Sequence, residues 1–311
     1  MELFEGFQPG DFDAFEERKW TSHAFNRERL EAKLKLTALG KALEAALVED
    51  LTGLESGLTD ERPSVFNQQR VSSLSLFFHR DSAARQALDG ILDRSFSMQQ
   101  NVLDSAPHHR HAALVVRLGP RGLTAGLFLH RQAWVDWKNA QERCRKYGES
   151  ERLEGLLQAL PEGVRLAVGE ELPADAPEAR RASAAEFLTG FESAEPYTIL
   201  AQPFSREQAC LGCPDALPEV GEALRAVLPV FRFVAWSRQN DHHQVKAVIQ
   251  EHREKVEKKF QDLRAGDEVR IARGLAAGKI GVVDAIERKG QVKVRIGPML
   301  VAVKMDDLVP R

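Results

Sequence analysis

Cysteine is scarce in this 311-residue sequence: Cys144, Cys210 and Cys213 are too few for the disulfide framework of a small secreted domain. The expectation is a reduced, cytoplasmic protein. Long apolar runs are also missing. No stretch approaches the ~18–20 residues that a membrane-crossing helix needs. The opening Met1-Glu2-Leu3-Phe4-Glu5 carries neither the basic nor the apolar region of a secretory signal. No Gly-rich loop follows a predicted strand, so a Walker loop and a dinucleotide fingerprint are absent. Neither sign of charge dominates: 43 Lys+Arg stand against 46 Asp+Glu, a formal net of −3, in a chain that is 43% hydrophobic. That composition excludes disorder and collagen-like fibres. The length exceeds one ordinary domain and predicts two.

Near-neutrality argues at first against a nucleic-acid partner, but it is an average of two unlike parts. Residues 236–311 hold 16 Lys+Arg and 11 Asp+Glu, a net of +5, which leaves 27 against 35, a net of −8, for residues 1–235. The basic tail points to a polyanion or an acidic partner.

What is present reads as mixed secondary structure. Asp11 is a candidate N-cap, with Phe12 and Phe15 on one helical face. A long amphipathic helix covers 26–51, with Leu30, Leu34, Leu36, Leu39, Leu43, Leu47 and Leu51 as its stripe and Arg29 among the wet-side charges. Strands are expected over 70–79, 112–118 and 123–130, the last two forming a hairpin around Gly119-Pro120-Arg121-Gly122. Helices follow at 83–94, 133–146, 151–159, 184–191, 205–209 and 218–233, with Pro229 a kink or boundary, and strands at 163–168 and 197–202. The antiparallel hairpin among mixed elements favours α+β over a doubly wound sheet. Phe77-Phe78-His79-Arg80 is echoed by Phe128-Leu129-His130-Arg131, each at a strand-to-helix junction. The echo marks either two related strand–helix units or a coincidence over four residues.

Residues 241–263 read as a charged connecting helix, with Ser237, Asn240 or Asp241 as its cap. From Ala265 the pattern changes to short strands over 266–271, 280–286, 291–296 and 299–304, with a closing segment at 305–310, separated by Gly-containing turns. That spacing predicts a small β-barrel. Gly266-Asp267-Glu268-Val269-Arg270-Ile271, then Gly274, then Ala277-Gly278-Lys279-Ile280-Gly281-Val282-Val283 resembles the KOW motif. That motif belongs to the SH3-like barrels of NusG-type elongation factors and several ribosomal proteins. The resemblance implies a module that binds RNA, DNA or a protein of the transcription or translation machinery, with the turn at Gly278-Lys279 facing the partner. Arg270, Arg273, Lys279, Lys289, Lys293 and Arg295 are then the candidate phosphate contacts. The tail lacks the aromatic residues with which many such barrels stack bases. The same charges would also serve simply to keep a small barrel soluble. At the other end of the chain, Gly6-Phe7 with Asp11-Phe12-Asp13-Ala14-Phe15 is similar to the start of some uncharacterised bacterial α+β families, which bring no activity with them.

Three constellations could carry chemistry. Cys210-Leu211-Gly212-Cys213 is a CxxC that would need two further ligands to hold zinc, from Cys144, His242, His243, His108, His109 or His111. A redox pair would need a thioredoxin-like setting, and the plainer reading is two cysteines near a helix end. His109 and His111 could share a face of an extended segment, or belong to a polar loop entering the sheet. His79, His130 and Asp136 lie near strand ends, where a His/Asp pair could do acid–base work, yet no nucleophile is tied to them by a motif. In the plainer reading Trp134 and Trp137 pack while Asp136 and Asn139 cap or make surface contacts. The expectation is therefore a non-enzymatic, bacterial-type binding protein without a cofactor: an α+β domain over 1–236, a connecting helix over 237–263 and a KOW-like barrel over 264–311. The alternative is an enzyme built on His79, His130 and Asp136.

Overall fold

The computed structural model describes residues 4–64, 67, 69–86, 88, 107–210, 213–244, 264–271, 276, 278–287, 291–304 and 308–310. The fold is α+β, and the chain divides into two compact units, the first ending at His243. Of the connecting helix expected over 237–263, residues 237–244 are not helical, and residues 245–263 lie outside the described residues. Among the described residues no helix is long and apolar enough to cross a membrane.

The first unit is built on a six-stranded antiparallel sheet. Its strands are β1 (Leu54–Leu58), β2 (Leu74–Arg80), β3 (Ala113–Gly119), β4 (Gly122–His130), β5 (Arg165–Val168) and β6 (Tyr197–Ser205), in the order β1-β2-β3-β4-β6-β5. The hairpin forms as the turn chemistry dictates, with Gly119 paired to Gly122 around Pro120-Arg121. Period-2 alternation divides the strands between two cores. Leu74, Leu76, Phe78, Leu114, Val116, Leu127 and Leu129 join the main core with the helices. Phe77, Val115, Phe128, Ile199 and Ala201 form a smaller cluster on the other face, closed by Leu172 and Ala176 of the segment after β5.

The helices are α1 (Pro9–Asp13), α2 (Asn26–Ala46), α3 (Trp134–Cys144), α4 (Glu149–Gln158), α5 (Ala184–Thr189), α6 (Arg206–Cys210) and α7 (Cys213–Val234). Asp11 is not the cap of α1. It sits at the third helical position, where its carboxylate accepts the Gln8 N–H at 2.7 Å and the Lys35 ammonium at 2.6 Å. In α2 the buried stripe is Arg29, Ala32, Leu36, Leu39 and Leu43, while Leu30 and Leu34 face solvent at 41% and 58% exposure. Counting leucines misplaces that stripe by one position at its start. Arg29 can be buried because its guanidinium donates to the carbonyls of Glu61, Lys19 and Ser22 and to Asn26 Oδ1 at 2.6–2.9 Å.

Helix α7 starts five residues before its expected start and runs through both Pro218 and Pro229. Packing outweighs the missing hydrogen bond. Val220, Leu224, Val227, Leu228, Phe231 and Val234 are all buried, against β3 and β4 on one side and α2, α3 and α4 on others. Each such side chain stabilises by about 1.5–3 kcal/mol relative to exposure, so together they exceed the ~3 kcal/mol cost of an interior proline. Its C-terminus is closed by Asn240, whose Nδ2 donates to the carbonyls of Arg232, Phe233 and Ala235 at 2.8–3.3 Å. Asn240 thus caps the helix behind it.

Gly126 lets β4 and β6 approach closely on the smaller-core face. A Cβ there would lie 2.3 Å from the Leu200 carbonyl oxygen and 2.5 Å from Ala201 Cα, both backbone atoms that cannot swing aside. Gly126→Ala is expected to cost about 1–3 kcal/mol, read as a lower urea midpoint at unchanged slope. Wild-type stability in that variant would mean that the strands do not close in at this point.

The second unit holds a five-stranded antiparallel sheet of β7 (Glu268–Ile271), β8 (Ile280–Glu287), β9 (Gln291–Ile296), β10 (Met299–Lys304) and β11 (Leu308–Pro310), ordered β10-β9-β8-β7-β11. Val269, Ile271, Val283, Val292, Val294, Val303 and Leu308 form its core.

Candidate functional site

Strands β2 and β4 both pair antiparallel with β3 and so run in the same direction. The echoed sequences therefore bring His79 and His130 to the same end of the sheet. Phe77 and Phe128, two residues before them, lie in the smaller core.

The structure does not join His79, His130 and Asp136 into one site. Asp136 is fully buried, and both of its oxygens are taken. Oδ1 accepts from the Arg80 guanidinium and from the Trp236 N–H at 2.8 Å, and Oδ2 accepts from the Ala112 N–H at 2.8 Å. That carboxylate ties together the end of β2, the start of β3, α3 and the chain leaving α7. Asn139, one turn along α3, does related work: its Oδ1 accepts the His242 N–H at 2.7 Å. Trp137 is buried beside Phe187 and Phe191.

Arg80 also donates to His111 Nδ1 at 2.9 Å, which leaves the ring proton on Nε2. Burial, followed by the neighbouring Arg80 charge, holds the His111 imidazole down to about 2. In His79 the Nδ1–H donates to the Arg80 carbonyl at 3.0 Å, and Nε2 faces the Arg85 guanidinium at 3.4 Å. Burial first, then Arg85, lowers its pKa below the ordinary histidine value.

His109 and His111 part company. Residues Pro107–Arg110 form a 3-10 turn, so His111 turns to Arg80 while His108 and His109 lie over the sheet. His108 stacks on Phe77 with ring centres 4.3 Å apart, and His109 stacks on His130 at 4.3 Å. His109 Nε2 hydrogen-bonds the Tyr197 hydroxyl at 2.7 Å, and His130 Nδ1 accepts the Gln132 N–H at 3.1 Å. Burial, then the adjacent His109, holds His108 well below the ordinary histidine value. Imidazoles stacked face to face cannot aim their lone pairs at one ion. Accordingly, among the described residues no three His, Cys, Asp or Glu side chains converge as metal ligands.

This row of rings borders a cavity of about 730 Å³ on the open face of the sheet. His109, Arg117, Phe128, His130 and Tyr197 line it and also a water-sized space of about 20 Å³ that His108 and His111 share. His79 and Asp136 line neither. The volume is in the range of small-molecule sites. Sequence reasoning did not single out Arg117 or Tyr197. The one signal for Arg117 was a charge set in the apolar strand Ala113–Gly119, at a position where alternation puts it beside Ala113 and Val115.

Of the CxxC, Cys210 is a free thiol at the end of α6, its pKa raised by burial. The Cys213 side chain lies outside the described residues. Burial pushes the Cys144 thiol up to about 11, which makes it a poor nucleophile.

In the second unit, strand pairing sets Arg295 between Val282 and Leu300, and Arg270 opposite Ile280. Arg270, Lys279 and Arg295 are exposed and Lys293 is half-buried. Ile280, Val282 and Leu300 keep 41–51% of their surface in solvent. Arg295 forms an ion pair with Asp284, and Gly278 takes a φ of +82° beside Lys279, as a tight turn requires. Arg273 and Lys289 lie outside the described residues. No known family model matches the chain, and no curated protein is recognisably similar to it.

Proposed function

We propose that the protein is a cytoplasmic binding protein whose C-terminal sheet is a KOW-like, SH3-type module that docks on nucleic acid through backbone phosphates. One observation carries this reading. The face of that sheet turned away from its valine core sets Arg270 and Arg295 among the exposed aliphatic side chains Ile280, Val282 and Leu300. Lys279 stands beside it at the Gly278 turn, where the KOW resemblance puts the partner. The Arg295–Asp284 pair is exposed, and such a pair is worth about 0–1 kcal/mol, so a phosphate can replace the carboxylate at little cost. The missing aromatics fit contact with the backbone better than base stacking. The enzyme alternative has less support, because Asp136 is saturated and shares no cavity with His130.

Binding of the full-length protein to a duplex DNA and an RNA hairpin, followed by fluorescence anisotropy, tests the reading. Arg270→Glu with Lys279→Glu is expected to weaken binding at least tenfold for all sequences alike, as loss of phosphate contacts does. Absence of low-salt binding to either nucleic acid would overturn it and leave a protein of the transcription or translation machinery as the partner.

A further inference from the structure

The cavity in the first unit has a cationic lining. Arg70, Arg117, Arg121 and Arg131 border it against Glu170 and Glu171. One pair is neutralised, Arg121 with Glu171 at 2.6 Å. Arg131 donates to the Ala194 carbonyl at 3.0 Å, and Arg70 stacks over Trp20.

Arg117 is the instructive member. It is half-buried in the middle of β3 and has no carboxylate partner among the described residues. Its bonds go to neutral oxygens, the Glu170 carbonyl at 2.6 Å and Ser75 Oγ at 3.4 Å. Its guanidinium carbon lies 4.4 Å from the centre of the Phe128 ring and 5.0 Å from that of Tyr197. Two ring faces fix the orientation of the fork and partly offset its desolvation, but among the described residues no carboxylate compensates the charge and no acceptor meets Nη2. A planar guanidinium held in this way matches the oxygens of a carboxylate or a phosphate. Tyr197, half-buried, lines the cavity beside it, and Phe128, His130 and Leu172, which keep 3–8% of their surface exposed, complete the lining there.

From this geometry we infer that the cavity binds a small organic anion, a carboxylate or phosphate ester with a flat apolar body. The anionic group pairs with Arg117, Arg131 lies at the rim, and the body lies along the cavity wall beside Tyr197. This site is separate from the nucleic-acid face proposed for the second unit, and neither proposal depends on the other.

Calorimetric titration of the full-length protein with 1-naphthoate, 1-naphthyl phosphate and the uncharged 1-naphthalenemethanol tests the inference. Saturable one-to-one binding of at least one anion is expected, with the uncharged compound at least tenfold weaker. Carboxylate alone, phosphate alone or both would each support the site and identify its preferred head group. Arg117→Met is expected to reduce anion affinity at least tenfold while tryptophan fluorescence stays native. If that variant does not fold, Arg131→Gln, at an exposed position, is expected to cause a several-fold loss on its own. The inference is overturned if neither anion saturates, if the uncharged compound binds as tightly, or if anion affinity is unchanged in the folded variants.

Discussion

Asp136→Ala is expected to destabilise the first unit by about 3–5 kcal/mol, because it strands the buried Arg80 guanidinium without its partner. The Arg80 and Asp136 side chains are 7% and 0% exposed, so water cannot compensate either one. The same change orphans the Ala112 and Trp236 N–H groups, each buried and each donating to that carboxylate. A loss of this size is a large part of the ~5–15 kcal/mol that holds a domain together. All four tryptophans, Trp20, Trp134, Trp137 and Trp236, belong to the first unit, so their fluorescence reports its unfolding free of the second. An unfolding free energy from urea titration within about 1 kcal/mol of wild type would show that the carboxylate is not a structural hub.

Acid is expected to weaken the same unit well above the pH at which carboxylates titrate. The His111 imidazole is neutral in the fold down to a pH of about 2, whereas in the unfolded chain it takes a proton near pH 6.5. As pH falls from 7 to 5, the unfolded state gains protons that the folded state refuses, so stability falls with pH. For His111 alone the loss over that window is about 2 kcal/mol. His79 and His108, also lowered, add to it in the same direction. Above pH 7 all three are neutral in both states and the effect vanishes. His111→Gln keeps an acceptor for Arg80 and removes the titrating group. Urea unfolding of this variant and of the wild type at pH 7, 6 and 5 should give slopes of stability against pH that differ by nearly one proton. Equal slopes would contradict the buried neutral assignment.

The difference between what the chain spells out and what only folding reveals follows from the range of each interaction. The hairpin of β3 and β4 and the strands of the second unit are encoded locally, in period-2 alternation and Gly-containing turns, and could be read within a residue or two. The buried stripe of α2 could not, because Arg29 finds its acceptors on residues as distant as Glu61. Nor could the run of α7 through Pro229, which depends on packing against β3 and β4, at Ala113–Gly119 and Gly122–His130 far upstream in the chain. The insertion of β6 between β4 and β5 is likewise a long-range fact.

The candidate site divides in the same way. His130 was visible as a histidine at a strand end. Asp136 was visible too, but its role depends on Arg80 and on two backbone groups contributed from elsewhere in the chain. Arg117 acquires meaning only when Phe128 and Tyr197 come beside it across two strand pairings. In the second unit the residues that matter are close in sequence. There the alternation of charge and aliphatic side chain that marks the proposed docking face was already legible.

Salt dependence of that docking is the most direct measurement. Affinity of the full-length protein for a duplex DNA, taken from about 50 mM to about 200 mM salt, should fall along a straight line in log–log form. Six phosphate contacts, from Arg270, Arg273, Lys279, Lys289, Lys293 and Arg295, would give a slope of roughly −5, reduced by about 2 in the Arg270→Glu, Lys279→Glu variant. A slope near zero, or no binding of this duplex or of an RNA hairpin at the low-salt end, would contradict docking through phosphates.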